Sequence, residues 1–334
     1  MVSFGVEFVP GDLFWRTTYY AVQAEKLGFN RIWITDHFNN RNVYVTLALV
    51  STYTSRIGLG PGVTNPYLIH PVMTAQAVAS LNEVAPGRIA CGIGAGDKTT
   101  LDMVGVEQKK PLAALREAVA IIRGLTSGAG AEFKGEVFTI TRGARLRFRV
   151  ENPIPIYIGA QGPRMLALAA EVGDGVLINA SHPRDIEEAT RHVRTAAEAK
   201  GRNPKDLAVV AYTSFSVAED PARAKEAVTP VVAYIVAGCP EVVLNRHGIA
   251  LENAVKIRDA IVAGKFKDAF SSVTDEMIEA FSISGTPNAC VEKVSQLFKT
   301  GVTELVTGSP IGPRIRRSMN LIGSEVIPHF KEMT

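Results

Sequence analysis

The sequence predicts a closed (β/α)8 TIM barrel with insertions, and three observations carry that prediction. Eight short apolar runs each end in a cluster of glycine, polar and ionisable residues. Between them lie amphipathic stretches of helical period joined by short punctuated connections, the beat of parallel strands covered by helices. The rival architecture, an open doubly wound sheet, normally carries a glycine fingerprint for phosphate after its first strand. Here that turn reads Glu7-Phe8-Val9-Pro10-Gly11-Asp12, with no such pattern. In a barrel, catalytic groups at the strand ends share one face, so the pattern points to an enzyme.

The elements follow in order. Residues 2–9 read as the first strand, and 15–27 as an amphipathic helix ended by Gly28, where a left-handed residue is needed. The second strand is 31–34, the second helix 43–53 and the third strand 57–59. A helix over 72–84 stops at Pro86-Gly87 before the strand 89–93, and another helix covers 113–125. Strand 156–158, helix 164–172, strand 176–178, helix 186–201 and strand 207–216 continue the alternation, and 303–306 is the eighth strand. Two stretches break the beat within what reads as one domain, 1–334. Alternating positions around Gly135 and Gly143 predict a hairpin insert at about 132–148, and a helical insert spans about 220–298. An insert of that length builds a lid, a binding wall or a subunit contact.

Composition narrows the function classes. The chain has 334 residues, 46% hydrophobic and 21% charged, with a net charge of +3 and no basic tract, which argues against a nucleic-acid partner. Cys91, Cys239 and Cys290 are scattered, without metal-ligand spacing or a paired framework, as expected of a reducing cytoplasm. No signal peptide is legible, and the apolar run near 231–236 is broken by Pro230 and Pro240, too short to span a bilayer. No membrane is expected.

Several strand-end residues can carry chemistry. Glu7 lies in an apolar strand, where a carboxylate costs free energy unless paired or used, and burial raises its pKa toward that of a general acid. A structural carboxylate bonded to a neighbouring strand end is the plainer reading. Asp36-His37 closes the second strand, and Asp97 closes the turn after the fourth. A carboxylate beside glycine-rich backbone can meet a planar heterocycle; equally, Asp97 can cap the following helix. The histidines show no ligand spacing, so no metal is expected. Gly62-Val63-Thr64-Asn65 is backbone-rich enough for a flat ligand to lie against it. In Gly159-Ala160-Gln161-Gly162, glycines precede a helix whose first turn carries Pro163 and whose N–H groups suit a phosphate.

Taken together, these motifs resemble the bacterial-luciferase-like superfamily of flavin and deazaflavin enzymes. Within it the chain is similar to the coenzyme F420-dependent methylenetetrahydromethanopterin reductase family. The likeness runs end to end: 4–10, Trp33-Ile34-Thr35-Asp36-His37, the segment from Gly60 to Tyr67, Gly96-Asp97-Lys98, 157–163, 175–181, 280–283, 306–313 and 321–323. The resemblance implies a barrel that binds coenzyme F420 non-covalently, with a non-prolyl cis peptide at Gly62-Val63 behind the deazaflavin ring. It implies a tetrahydromethanopterin-type substrate reduced at a methylene carbon, in a cytoplasmic homo-oligomer, dimer or tetramer. Glu7 would be the proton donor, and Asp97 would orient the pterin or stabilise developing positive charge. Asp36, His37, Gly62, Val63, Thr64 and Asn65 would line the cofactor. Asn179, Ala180 and Ser181, with Gly159, Ala160, Gln161 and Gly162, would hold its polar edge and phosphate tail. Two departures stand out: Gly94-Ala95-Gly96 lacks a central proline common in the family, and Leu68-Ile69-His70 lacks a Thr-Arg pair. The alternatives are an F420-dependent dehydrogenase of a secondary alcohol or sugar phosphate, a methylenetetrahydrofolate reductase, an FMN monooxygenase, and a flavin-binding homologue without activity.

Overall fold

The computed structural model describes residues 2–333. Strand β1 (Ser3–Phe8) leads to helix α1 (Phe14–Lys26), then β2 (Arg31–Ile34), α2 (Val43–Tyr53), β3 (Gly58–Pro61) and α3 (Pro71–Val84). Strand β4 (Cys91–Ile93) precedes the short α4 (Lys98–Met103) and the long α5 (Pro111–Thr126). The hairpin β5 (Ala131–Lys134) and β6 (Thr139–Ala144) follows, then β7 (Ile156–Gly159), α6 (Pro163–Val172), β8 (Gly175–Asn179), α7 (Pro183–Ala199) and β9 (Ala208–Val217). Five helices come next: α8 (Pro221–Gly238), α9 (Glu241–Arg246), α10 (Leu251–Val262), α11 (Phe266–Ser271) and α12 (Asp275–Phe281). Then come β10 (Ile283–Gly285), α13 (Pro287–Lys299), β11 (Glu304–Ile311) and α14 (Ile315–Leu321), followed by a π-helical turn (Ile322–Val326) and a 3-10 helix (Ile327–Met333).

Bonded strands run in the order β3-β2-β1-β11-β9-β8-β7-β4, and the path closes where Leu59 bridges Ile89 and Thr64 bridges Ile93. The pairs β1·β2, β2·β3, β4·β7 and β7·β8 are parallel, as the alternation of strand and helix requires. This is the expected (β/α)8 barrel. Gly28 takes φ +90° at the end of α1, as its position in the sequence predicts.

Two local expectations change. The span read as helical to 298 contains a strand, β10, which pairs in parallel with the end of β9 through Ile283↔Phe215 and Gly285↔Val217. Its three residues are too short a run to stand out from the flanking helical periodicity. The eighth strand also continues past 306, so Thr307-Gly308-Ser309-Pro310 lies within β11 rather than after it. The Ser309-Pro310 bond is cis.

The chain packs as two compact units. The first is Gly5–Ile178 with Ala189–Val210. At its centre Trp33 is fully buried, edge-on to Tyr157 with ring centroids 5.4 Å apart, and Arg31 lies 5.3 Å from both rings. Glycines at 60 and 92 make room for it: a Cβ at either would come within 3.0–3.1 Å of the indole. The second unit is Met1–Phe4, Asn179–Glu188 and Ala211–Thr334. Its helices α8 to α12 enclose a core of their own around Val228, Val232, Leu244, Ile257 and Met277. Phe4, Phe298 and Phe330 form an aromatic cluster with centroids 5.2–5.6 Å apart.

Candidate functional site

Glu7 occupies a strand position whose side is set by its neighbours. Phe8 stacks toward Tyr20 of α1, with centroids 6.1 Å apart, so Glu7 projects to the opposite face of β1. Its register partner is Trp33, and paired residues share a face, so the carboxyl shares the interior side of the sheet with the indole. Glu7 is half-buried there.

Asp36 follows β2 and is half-buried. Burial raises its pKa; a contact with the Thr64 hydroxyl and the charge of His37 oppose this only in part. Thr64 and Tyr44 lie near Asp36, and Thr74 lies near Tyr44. Tyr44 Oη, Thr64 Oγ1, Thr74 Oγ1 and Thr35 Oγ1 are buried, and none makes a hydrogen bond of full geometry. The Tyr44 phenol is driven well above its ordinary value by burial and the neighbouring Cys91; Thr64 and Thr74 are near enough to offset part of that.

The Gly62-Val63 bond is cis, as the resemblance implied. Gly62 N donates to Ile34 O (2.8 Å), and Thr64 N donates to Gly92 O (3.0 Å), so this peptide is tied to the strands on either side. The Val63 side chain lies against Gly94, where a Cβ would approach it to 2.9 Å, and against Gly159, where it would sit at 3.5 Å. Three predicted segments therefore meet: the bulge, the turn before Asp97 and the end of β7. Asn65 is engaged locally, its Oδ1 accepting from Tyr67 N (3.1 Å) and Leu68 N (2.9 Å).

Asp97 caps α4. Its Oδ2 accepts from Thr100 N (2.8 Å) and Thr100 Oγ1 (2.7 Å), the plainer of its two readings. Burial works against the charged form, but the Thr100 and Thr99 hydrogen bonds and the nearby charge of His37 hold the carboxylate below its usual range. His37 thus lies close enough to act on both Asp36 and Asp97. At β7, Ala160 N donates to Leu177 O (3.0 Å), and Gly162 starts α6, its carbonyl accepting from Met165 and Leu166.

In the second unit Asn179 is exposed at the end of β8, Ala180 is half-buried and Ser181 is buried, its Oγ accepting from Ser214 N (3.1 Å). Beside this segment stands a group that sequence reasoning missed. The Asp185 carboxylate is gripped by Arg246 and by His247 Nε2 (2.8 Å), while Arg246 also reaches Glu188 (2.5 Å). The His182 ring meets His247 edge-on at 4.8 Å and accepts from Arg184 N through Nδ1 (3.2 Å). Burial, then His247, lowers the His182 pKa. These residues are 61 and 62 positions apart in sequence, beyond any local spacing rule. The described residues hold no group of three or more His, Cys, Asp or Glu placed for a metal ion, and no helix among them is long and apolar enough to cross a membrane.

Comparison with known proteins agrees with this geometry. The model of the luciferase-like monooxygenase family matches residues 12–304. A 5,10-methylenetetrahydromethanopterin reductase of Archaeoglobus fulgidus is 50% identical over 334 residues, covering 99% of this chain and 100% of that protein. Its counterpart in Methanolobus tindarius is 46% identical over 327 residues, covering 98% and 100%. The solved structure of the coenzyme F420-dependent tetrahydromethanopterin reductase of Methanopyrus kandleri superposes with a TM-score of 0.94 at 42% identity, covering 99% of both chains. The chain therefore belongs to the luciferase-like family and, within it, to the 5,10-methylenetetrahydromethanopterin reductases.

Proposed function

We propose that this chain is an oxidoreductase that uses reduced coenzyme F420 to convert 5,10-methylenetetrahydromethanopterin reversibly into the 5-methyl form. The observation that carries the reading is the floor made by Val63 against Gly94 and Gly159, with the Glu7 carboxyl on the interior face of the same unit. A backbone-lined, apolar floor with a half-buried carboxyl (Asp36) at its edge fits a flat deazaflavin whose rim carries hydrogen-bonding groups. Val63 would back the ring, and Asp36, His37 and Gly162 would meet its polar edge. When bound, the reduced deazaflavin supplies a hydride.

The chain's own residues supply positioning and charge. Opening the substrate's five-membered ring leaves positive charge at the methylene carbon and its nitrogen, and the displaced nitrogen needs a proton. Asp97, held ionised by its Thr100 hydrogen bonds, is suited to stabilise that charge and poorly suited to donate a proton. Glu7 is the general acid of this scheme. Holding two planar molecules in register accounts for much of the remaining acceleration.

Anaerobic spectrophotometry tests the proposal: oxidised F420 and methyl-tetrahydromethanopterin are mixed with the protein, and deazaflavin absorbance is followed. Bleaching that depends on the pterin is expected. Bleaching with a secondary alcohol or a sugar phosphate instead would overturn the substrate, and none with any donor would overturn the cofactor. In the same assay E7Q is expected to lose at least a hundredfold in turnover. If E7Q turns over near wild type while D97N is dead, the two roles are reversed.

A further inference from the structure

In the second unit a cavity of about 230 Å3 opens beyond the ends of β9 and β11, lined by none of the residues assigned above to cofactor or substrate. These are the seventh and eighth strands of the barrel, and the loops after those two strands are a recurrent phosphate site in this architecture. Its lining residues include three arginines, Arg223, Arg314 and Arg317, and two acidic residues, Glu219 and Asp220. The carboxylates are already engaged. Glu219 Oε1 accepts from Arg317 Nε (2.9 Å) and its terminal nitrogen (2.7 Å). Asp220 caps α8 through Ala222 N (3.0 Å) and faces Arg223 at 3.8 Å. The exposed Arg314 side chain has no hydrogen-bond or ion-pair partner among the described residues, so one positive charge in the cavity is uncompensated.

The backbone that delivers Arg314 is unusual. Ile311 is β-branched, buried and left-handed, with φ +71°, and the next residue, Gly312, has φ +154°. A non-glycine residue of that kind in the left-handed region is strained, and strain of this sort gathers where the chain holds a functional shape. The turn is locked from below: Ser318 Oγ donates to Val217 O (2.7 Å), and a Cβ on Gly312 would meet that hydroxyl and come within 2.6 Å of Val217 O. The turn is therefore held in place beside the arginines that line the cavity.

We propose that this cavity is an anion-binding site for a phosphate monoester group, with Arg314 as its principal ligand and Arg317 and Arg223 as flanking donors. Guanidinium groups match phosphate geometry with paired N–H donors. A cavity of about 230 Å3 falls below the ~300–1,000 Å3 that whole small-molecule ligands fill. It accommodates one charged head group of a larger ligand, or a small free phosphate ester.

Inorganic phosphate is the probe, titrated into the full chain by calorimetry at constant ionic strength set with sodium chloride. Saturable binding is expected, and R314A should weaken it at least tenfold while leaving the folded state intact, because the side chain is exposed. R314K, which keeps the charge but loses the fork, should fall between the two. E219Q, which removes a competing carboxylate, should tighten binding. Equal isotherms for wild type and R314A, or an E219Q variant that binds no more tightly, would overturn the site. Because the readout is phosphate binding and not turnover, its failure would leave the reductase reading untouched.

Discussion

At the scale of single residues, Asp97 and Asp36 of the first unit are set apart by what surrounds them. Asp97 is exposed at a helix start and accepts hydrogen bonds, which favour its charge; Asp36 is shielded from water, which disfavours it. The direction of the Asp36 shift makes a prediction about stability. Its folded-state pKa lies above the unfolded value of about 3.9, so its contribution is fully present below about pH 4 and is lost as pH rises through the folded value. D36N removes that titration. Thermal melts should show D36N gaining on wild type as pH rises from 3 to 7; a difference that stays constant across that range would contradict the shift. Asp36 and His37 were legible in the sequence as a strand-end pair. The unpartnered hydroxyls of Tyr44, Thr64 and Thr74 were not, because only packing shows which polar atoms are denied a partner.

At the scale of elements, the hairpin β5–β6 illustrates how an insert is fixed to the barrel. Its span was expected at about 132–148, and the strands run from Ala131 to Ala144. Glu117 of α5, buried at 6% exposure, accepts from Glu136 N (2.6 Å), Val137 N (3.0 Å) and Phe138 N (2.8 Å) and so satisfies the turn from below. E117A would strand those three N–H groups, costing about 3 kcal/mol. Urea unfolding measures that loss, and amide exchange should quicken first at 136–138; unchanged exchange there would remove Glu117 as the anchor. Within α5 this glutamate looks like any polar position of an amphipathic helix. Its role depends on a turn 19 to 21 residues away, which periodicity does not register.

At the scale of the whole molecule, the barrel depends on a large side chain set among small ones. Trp33 is fully buried, with glycines facing it from β3 and just after the start of β4. W33A should cost about 3–5 kcal/mol, the range for large aromatic deletions in a close-packed core; a loss under about 1 kcal/mol in urea unfolding would show that the core collapses around the gap. The same centre supports Glu7 through its register partner, so the variant should lose turnover as well as stability.

The sequence by itself determined the alternation of strands and helices, and with it the barrel and the face on which Glu7, Asp36, Asp97 and the glycine segments lie. It could do so because hydrophobic periodicity, helix-ending glycines and strand-end clusters are local signals, written within a few residues of the elements they specify. The tertiary structure decided what each polar group meets. Asp97 turned to its helix, Val63 came to rest on Gly94 and Gly159, Asp185 joined Arg246 and His247, and Arg314 was left with an uncompensated charge. Hydrogen bonds and charges act over a few ångströms in space, whatever the separation along the chain, so their partners emerge only once the chain has closed on itself.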